Sequence, residues 1–249
     1  MRIFDAHFHI TDYDYDIKGN NGYMPPSFTA HDYQQQSTKL NIAGGAIVSG
    51  SFQGYDQQYL VNALQTLGEH YCGVTQLPAT TADEEIVNLH KQGVRALRFN
   101  VQRGGSEDLY QLAYFAQRVY DLVGWHSELY IDSTKLPQIM CTIEQLPAVS
   151  IDHLGLSEAG IKHLLSLVDK GVHVKATGFG RVDLDVVKTM QSIYNINPDA
   201  LMFGTDLPST RAPRPFQEQD IELVKQSFDD TACEKIFWQN AMDFYKLSK

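Results

Sequence analysis

A single (β/α)8 barrel is the fold class this sequence predicts, and three observations predict it. Eight short strand-like runs alternate with helix-like stretches from one end of the chain to the other. The length of 249 residues suits eight such units, which need roughly 250. The first strand is not followed by the GxGxxG turn that would open a dinucleotide-binding sheet. One α/β TIM-barrel domain over 1–249 is therefore expected, without a linker or a low-complexity tract.

In chain order the strands are 3–10 (IFDAHFHI), 43–50 (AGGAIVSG), 71–77 (YCGVTQL) and 94–100 (VRALRFN), then 126–131 (HSELYI), 148–154 (AVSIDHL), 172–178 (VHVKATG) and 200–206 (ALMFGTD). Each is short and mostly apolar, as strands buried on both faces are. Helices are expected over 28–40, 55–70, 81–93, 106–124, 134–146, 157–171, 183–196 and 217–228, with a further one over 231–247 whose apolar face (Ile236, Phe237, Ala241, Phe244) covers the barrel. In the fourth helix, Leu109, Leu112, Phe115, Ala116, Val119, Leu122 and Val123 fall at the three-to-four spacing of one buried stripe. Gly93, Gly124 and Gly171 stand where helices should stop. Thr81 with Glu84 reads as a capping box and Ser157 as an N-cap. Residues 11–27 form a long loop rich in Tyr, Asp, Gly and Pro after the first strand, at the end of the barrel where active sites are built.

Composition narrows the function. Thirty acidic against twenty basic residues give a net charge of −10, which argues against nucleic acid as a partner. No apolar run reaches the ~20 residues that cross a bilayer, so no membrane partner is expected. The start lacks the features of a secretory signal, so a cytoplasmic location is expected. Cys72, Cys141 and Cys233 are far apart and read as apolar filling.

The strand ends carry the chemistry. Residues i and i+2 of a strand face the same way, so His7 and His9 share a side, on which Asp5 and Ile3 are also expected, with Phe4, Ala6, Phe8 and Ile10 opposite. Strand four ends in Arg98 and Asn100. Strand five offers His126, Glu128 and Tyr130 on one face, with His126 at the bottom of the barrel. Strand six ends in Asp152-His153, strand seven in Lys175 and Thr177, strand eight in Asp206. The set His7, His9, His153 and Asp206 suits a mononuclear divalent ion such as Zn or Mn, with a position left for water. Asp206 would take that water's proton. His31, His70, His90 and His163 lie on helical or surface stretches and are given no role. Arg98, Arg103 and Arg181 lie at or just beyond strand ends, and LPSTRAPRPF places Arg211 and Arg214 after strand eight. Guanidinium groups bind carboxylates in paired fashion, so an anionic small-molecule substrate is expected, unless these arginines pair with nearby acids such as Asp183 and Glu218.

IFDAHFHI, GVRALRFN, GWHSELYID, SIDHLG, VKATGFG, MFGTDLP and the late NAMDFY resemble, in order and nearly end to end, the amidohydrolase superfamily. More narrowly they resemble its amidohydrolase-2 branch, which includes 2-pyrone-4,6-dicarboxylate lactonase and sugar-lactone hydrolases. The resemblance implies a (β/α)8 barrel with His7, His9, His153 and Asp206 as functional positions. It also implies hydrolysis of a cyclic ester: His153 or a metal polarises the carbonyl, Asp206 is the proton acceptor, and Arg98, Arg211 and Arg214 with Tyr23 and Tyr130 hold the substrate. Some members of the branch work without a metal, so metal-independent catalysis stays open. Where many superfamily members carry a metal-binding lysine or glutamate on strand four this chain has LRFN, which points away from a binuclear centre. The strand-five ligand is missing unless Glu128 replaces it. The alternatives are a metal-dependent decarboxylase of an aromatic or enol acid, and an inactive barrel that binds a carboxylated metabolite.

Overall fold

The structure, a computed structural model, describes residues 1–247. All eight expected strands are present: β1 (Ile3–Phe8), β2 (Ile42–Val48), β3 (Tyr71–Thr75), β4 (Val94–Asn100), β5 (His126–Tyr130), β6 (Val149–Ile151), β7 (His173–Ala176) and β8 (Leu201–Phe203). They form one parallel sheet in the order β1 to β8. β8 returns to β1 through backbone bonds just past its end: Asp206 N–H donates to His7 O at 2.7 Å and His9 N–H to Leu207 O at 2.7 Å. Helices lie between the strands: α1 (Ala30–Lys39), α2 (Gln58–Leu67), α3 (Asp83–Lys91), α4 (Leu112–Val123), a 3-10 turn followed by the short α5 (Met140–Ile143), α6 (Ile161–Asp169), α7 (Val186–Ile196) and α8 (Glu218–Ser227). The expected α4 stripe is buried at Leu112, Phe115, Ala116 and Val119. Among the described residues no helix is long and apolar enough to cross a membrane.

The floor of the barrel is built by the tail. The segment over 231–247 breaks into α9 (Asp230–Glu234), a π-helical turn (Lys235–Gln239) and α10 (Asn240–Phe244). Its Trp238, Met242 and Tyr245 pack against Phe4, Ala46, Val74, Ala96 and Met202 from five strands. This apolar cluster closes the end opposite the strand tips. His126 lies there too, its ring 4.1 Å from that of Phe244.

Two local expectations need correcting. Gly93, Gly124 and Gly171 do take positive φ past their helices, but the caps at 81 and 157 do not form. Thr81 donates its hydroxyl to Pro78 O and leaves Ala82 as the uncapped N-cap of α3. Ser157 gives its hydroxyl to Asp132, and α6 starts at Ile161 with Gly160 as its N-cap. The capping boxes lie instead at Thr29 with Asp32 and Gln217 with Asp220.

Strand one also departs from strict alternation. Asp5 pairs with Gly45 and Phe8 with Ile47, so β1 advances three residues while β2 advances two. That extra residue is a β-bulge, which re-aims side chains. Phe4 and Ala6 therefore face the interior, Asp5 turns out to accept the Tyr33 hydroxyl from α1 at 3.1 Å, and His7 still points inward with His9. Asp5 does not share a face with the two histidines. Its carboxylate staples the β1–β8 seam, accepting the Thr205 N–H (2.8 Å) and the Thr205 hydroxyl (2.6 Å). Burial without a cationic partner pushes its pKa up to about 6, against the pull of those bonds.

Candidate active site

His7, His9, His153 and Asp206 converge. His7 Nε2 and His9 Nε2 stand 3.9 and 3.7 Å from Asp206 Oδ1, and the His7 and His153 rings are 4.8 Å apart. All four residues are buried. His153 and Asp206 both lie just past a strand and both take left-handed backbone, φ 53° and 63°. Each such residue costs ~1–3 kcal/mol, and His and Asp enter this region more readily than most. The turn aims both side chains across the mouth.

Hydrogen bonds identify the lone pairs. His9 Nδ1 lies 2.7 Å from Val48 O, an acceptor, so Nδ1 carries the proton and Nε2 is free. His7 Nδ1 makes no hydrogen bond but faces the Asp152 carboxylate at 3.5 Å, and that negative charge favours the same tautomer. Three acceptors, His7 Nε2, His9 Nε2 and Asp206 Oδ1, then face one another in the interior, and His7 Nε2 and Asp206 Oδ1 have no hydrogen-bond partner. Two imidazole nitrogens and one carboxylate oxygen aimed at a common point fit a divalent ion. Asp152 then plays the outer carboxylate that orients a ligating histidine. A second group, His7, Asp152 and His153, also has its donor atoms close together. Glu128 does not supply a strand-five ligand: Lys175, His126 and Tyr245 all hold it.

Electrostatics separate the roles. Burial would raise Asp206, but the ion pair with Arg181, then His153, and the His9 contact hold it far below the usual carboxylate range. Burial depresses His153 to about 3, although Asp206 pulls the other way, so it is a neutral imidazole. Its Nδ1 lies 3.4 Å from Thr177 O. His7 is likewise held neutral by burial, against Asp152.

Above these residues opens a narrow cavity lined by His9, Phe52, Tyr130, His153 and Asp206 and by four arginines, 98, 103, 181 and 211. Asp206 is its only acidic lining residue among the described residues. Arg181 is paired to Asp206, and Arg98 is divided between Asp152 (2.9 Å) and Ser49 O (2.6 Å). Arg103 and Arg211 have no carboxylate partner among the described residues. Arg211 is held instead by the carbonyl and side chain of Asn20 and by the Tyr23 ring, 4.3 Å away. Burial, then Arg103, lowers its pKa. The 11–27 loop thus lies over the mouth. Arg214 is elsewhere, bound by Asp220 at 2.8 and 3.1 Å. Asp220 is the N3 acid of α8, which claims it. Arg98 is buried and largely committed to Asp152.

Asp152, Lys175 and Arg181 carry more of the site than their sequence signals suggested. Asp152 stood out only as the residue before His153 at the end of strand six, and Arg181 as one strand-end arginine among several. Gly178, in the TGFG run, is the signal for Arg181: a Cβ there would strike His153 Nδ1 and Arg181 Nε.

The amidohydrolase family model matches residues 4–247. A 2-pyrone-4,6-dicarboxylate hydrolase of Comamonas testosteroni is 24% identical, with 82% of this chain and 76% of that one covered. A 4-sulfomuconolactone hydrolase of Rhizobium radiobacter is 27% identical over 75% of this chain and 68% of its own. Among solved structures, a probable 2-pyrone-4,6-dicarboxylic acid hydrolase from Acinetobacter baumannii with citric acid bound superposes at TM-score 0.84, 25% identical, over 99% of this chain and 100% of its own.

Proposed function

As a member of the amidohydrolase family this chain is a hydrolase, and we propose that it opens a lactone of a carboxylated or sugar-derived small molecule with water activated by Asp206. The observation that carries the reading is the pair of guanidinium groups, Arg103 and Arg211, that face one cavity without a counter-charge. A guanidinium in a cavity wall without a counter-charge favours an anion beside it, and a substrate carboxylate supplies that charge. The relatives named as lactone hydrolases support the reaction class and favour neither the decarboxylase nor the inactive barrel.

The chemistry follows from the charges. Asp206, ionised at any physiological pH, accepts a proton from water as the oxygen attacks the lactone carbonyl. The ring C–O bond then breaks, and Asp206 returns the proton to the departing oxygen. Paired to Arg181, Asp206 is a weak base; a substrate carboxylate that engages Arg181 loosens that pair and raises its basicity. Thr177 O selects the His153 tautomer with a free Nε2, so His153 offers a lone pair to the attacking water, and the arginines polarise the carbonyl. Tyr23 and Tyr130 flank the bound ring, and Arg98 shapes the wall. His7, His9 and Asp206 would hold a divalent ion, Zn or Mn, with His153 beside it; such an ion supplies a water of lowered pKa and a Lewis acid. The reading includes a cytoplasmic setting, in keeping with three free cysteines.

A panel of carboxylated lactones followed by pH indicator, with and without chelator and alongside elemental analysis, tests it. Acid release by the wild type that is lost in Asp206→Asn is expected. Unimpaired hydrolysis by Asp206→Asn would overturn the assignment.

A further inference from the structure

Midway down the barrel axis lie charges that the reaction does not touch. Glu128, Asp152 and Lys175 are fully buried and come from β5, the end of β6 and β7. Lys175 Nζ donates to Glu128 Oε2 and stands 3.8 Å from Asp152 Oδ1. That same Asp152 oxygen faces His7 Nδ1 at 3.5 Å, while Arg98 takes the other. From below, Tyr245 of the tail donates its hydroxyl to Glu128 Oε1 at 2.6 Å, and His126 Nε2 lies 3.0 Å from it. A continuous line of polar contacts therefore joins the floor of the barrel to His7.

Stability does not account for this ladder. Barrel interiors are ordinarily filled by branched apolar side chains, and exchanging a buried ion pair for apolar groups of like volume is often neutral or stabilising. Its geometry does one specific thing. A carboxylate only accepts hydrogen bonds, so Asp152 beside Nδ1 keeps the His7 proton there and leaves Nε2 open towards Asp206. Lys175 holds the oxygen that performs this task, and Glu128, pinned by Tyr245 and His126, holds Lys175.

We propose that Lys175 and Glu128 are positioning residues, a buried counter-charge ladder that locks His7 in one tautomer and orientation for the site above. Neither lines the cavity, so they act through Asp152.

The test is the double variant Glu128→Gln/Lys175→Met, which removes both charges and leaves neither unpaired. The melting temperature is expected to stay within a few degrees of wild type. The 15N signals of His7 are expected to move from a single Nδ1-protonated form to a mixture, and kcat to fall about 10–100-fold, the usual scale for groups that orient a functional histidine, with KM unchanged. Tyr245→Phe should move both readouts the same way by less. A folded double variant with wild-type His7 signals and kcat overturns the proposal, as does a drop in stability without a change at His7. Should the double variant not fold, Tyr245→Phe decides by the same readouts, unchanged His7 signals overturning it. The kinetic arm rests on the lactonase reading and the NMR arm does not. A wild type that opens no lactone, with a His7 tautomer that still responds, removes that reading and upholds this one.

Discussion

The two halves of the barrel interior, built by the same eight strands, are opposites. The lower half is mainly apolar: Phe4, Ala46, Val74 and Met202 closed by Trp238 and Met242, with His126 and the Tyr245 hydroxyl as polar members. The upper half carries ion pairs in tiers, Glu128 with Lys175, Asp152 with Arg98, Asp206 with Arg181, and ends in two unbalanced arginines. The first two tiers are complete within the chain and invite no ligand. Only at the rim does positive charge exceed negative, and that is where the proposed anionic substrate would bind. Two residues along a strand are enough to pass from filling to function.

The largest effect is expected from breaking the top tier. Arg181→Met leaves Asp206 buried without its cation, which should cost ~3–5 kcal/mol and lower kcat/KM by about 10³-fold. It should also create an acid limb. Asp206 now titrates far below the working range; without Arg181 burial raises it, and activity should fall as pH drops through roughly 4–6. A pH–rate profile that keeps the wild-type shape would contradict the pairing. In the apolar half, Phe4→Ala should cost ~3–5 kcal/mol of stability, read by urea unfolding, with KM unaltered. A change in KM there would erase the distinction between the halves.

The floor has its own pH dependence. Burial, then His126, lowers His173 to about 4, and burial lowers His126 despite Glu128. Depressed histidines stay neutral in the folded state while the unfolded chain takes up protons, so stability should fall as pH drops below about 6.5. Asp5, raised to about 6, works in the opposite sense between about 4 and 6 and blunts the slope. His173→Phe, next to the Phe244 ring at 4.0 Å, should flatten it; urea midpoints at pH 7.5 and 5.5 give the answer. The smallest effect belongs to the 11–27 loop. Asn20→Ala frees Arg211 from its side-chain tether and should change KM about three- to ten-fold, some 1 kcal/mol, with kcat little altered.

Much of this was legible in residue order because it depends on periodicity. All eight strands and the α4 stripe follow from spacing, and the HxH pair kept its shared face because i and i+2 agree on either side of a bulge. The bulge itself carries no local signal, which is why Asp5 was expected beside His7 and lies at the seam. Thr81 and Ser157 have the right residue types for caps, but nearby acceptors, Pro78 O and Asp132, took their hydroxyls. Arg214 met the same fate through Asp220. Such competition is between groups far apart in sequence or equal in local merit, and spacing cannot rank them.

Residue order by itself determined the barrel, its strand ends and the set His7, His9, His153 and Asp206, since these follow from alternation and from where runs of apolar residues stop. Tertiary structure alone decided which charge meets which. A pairing energy depends on separation and burial in three dimensions, so it took the closed barrel to commit Arg98 to Asp152 and Arg181 to Asp206, and to leave Arg103 and Arg211 without a carboxylate partner among the described residues.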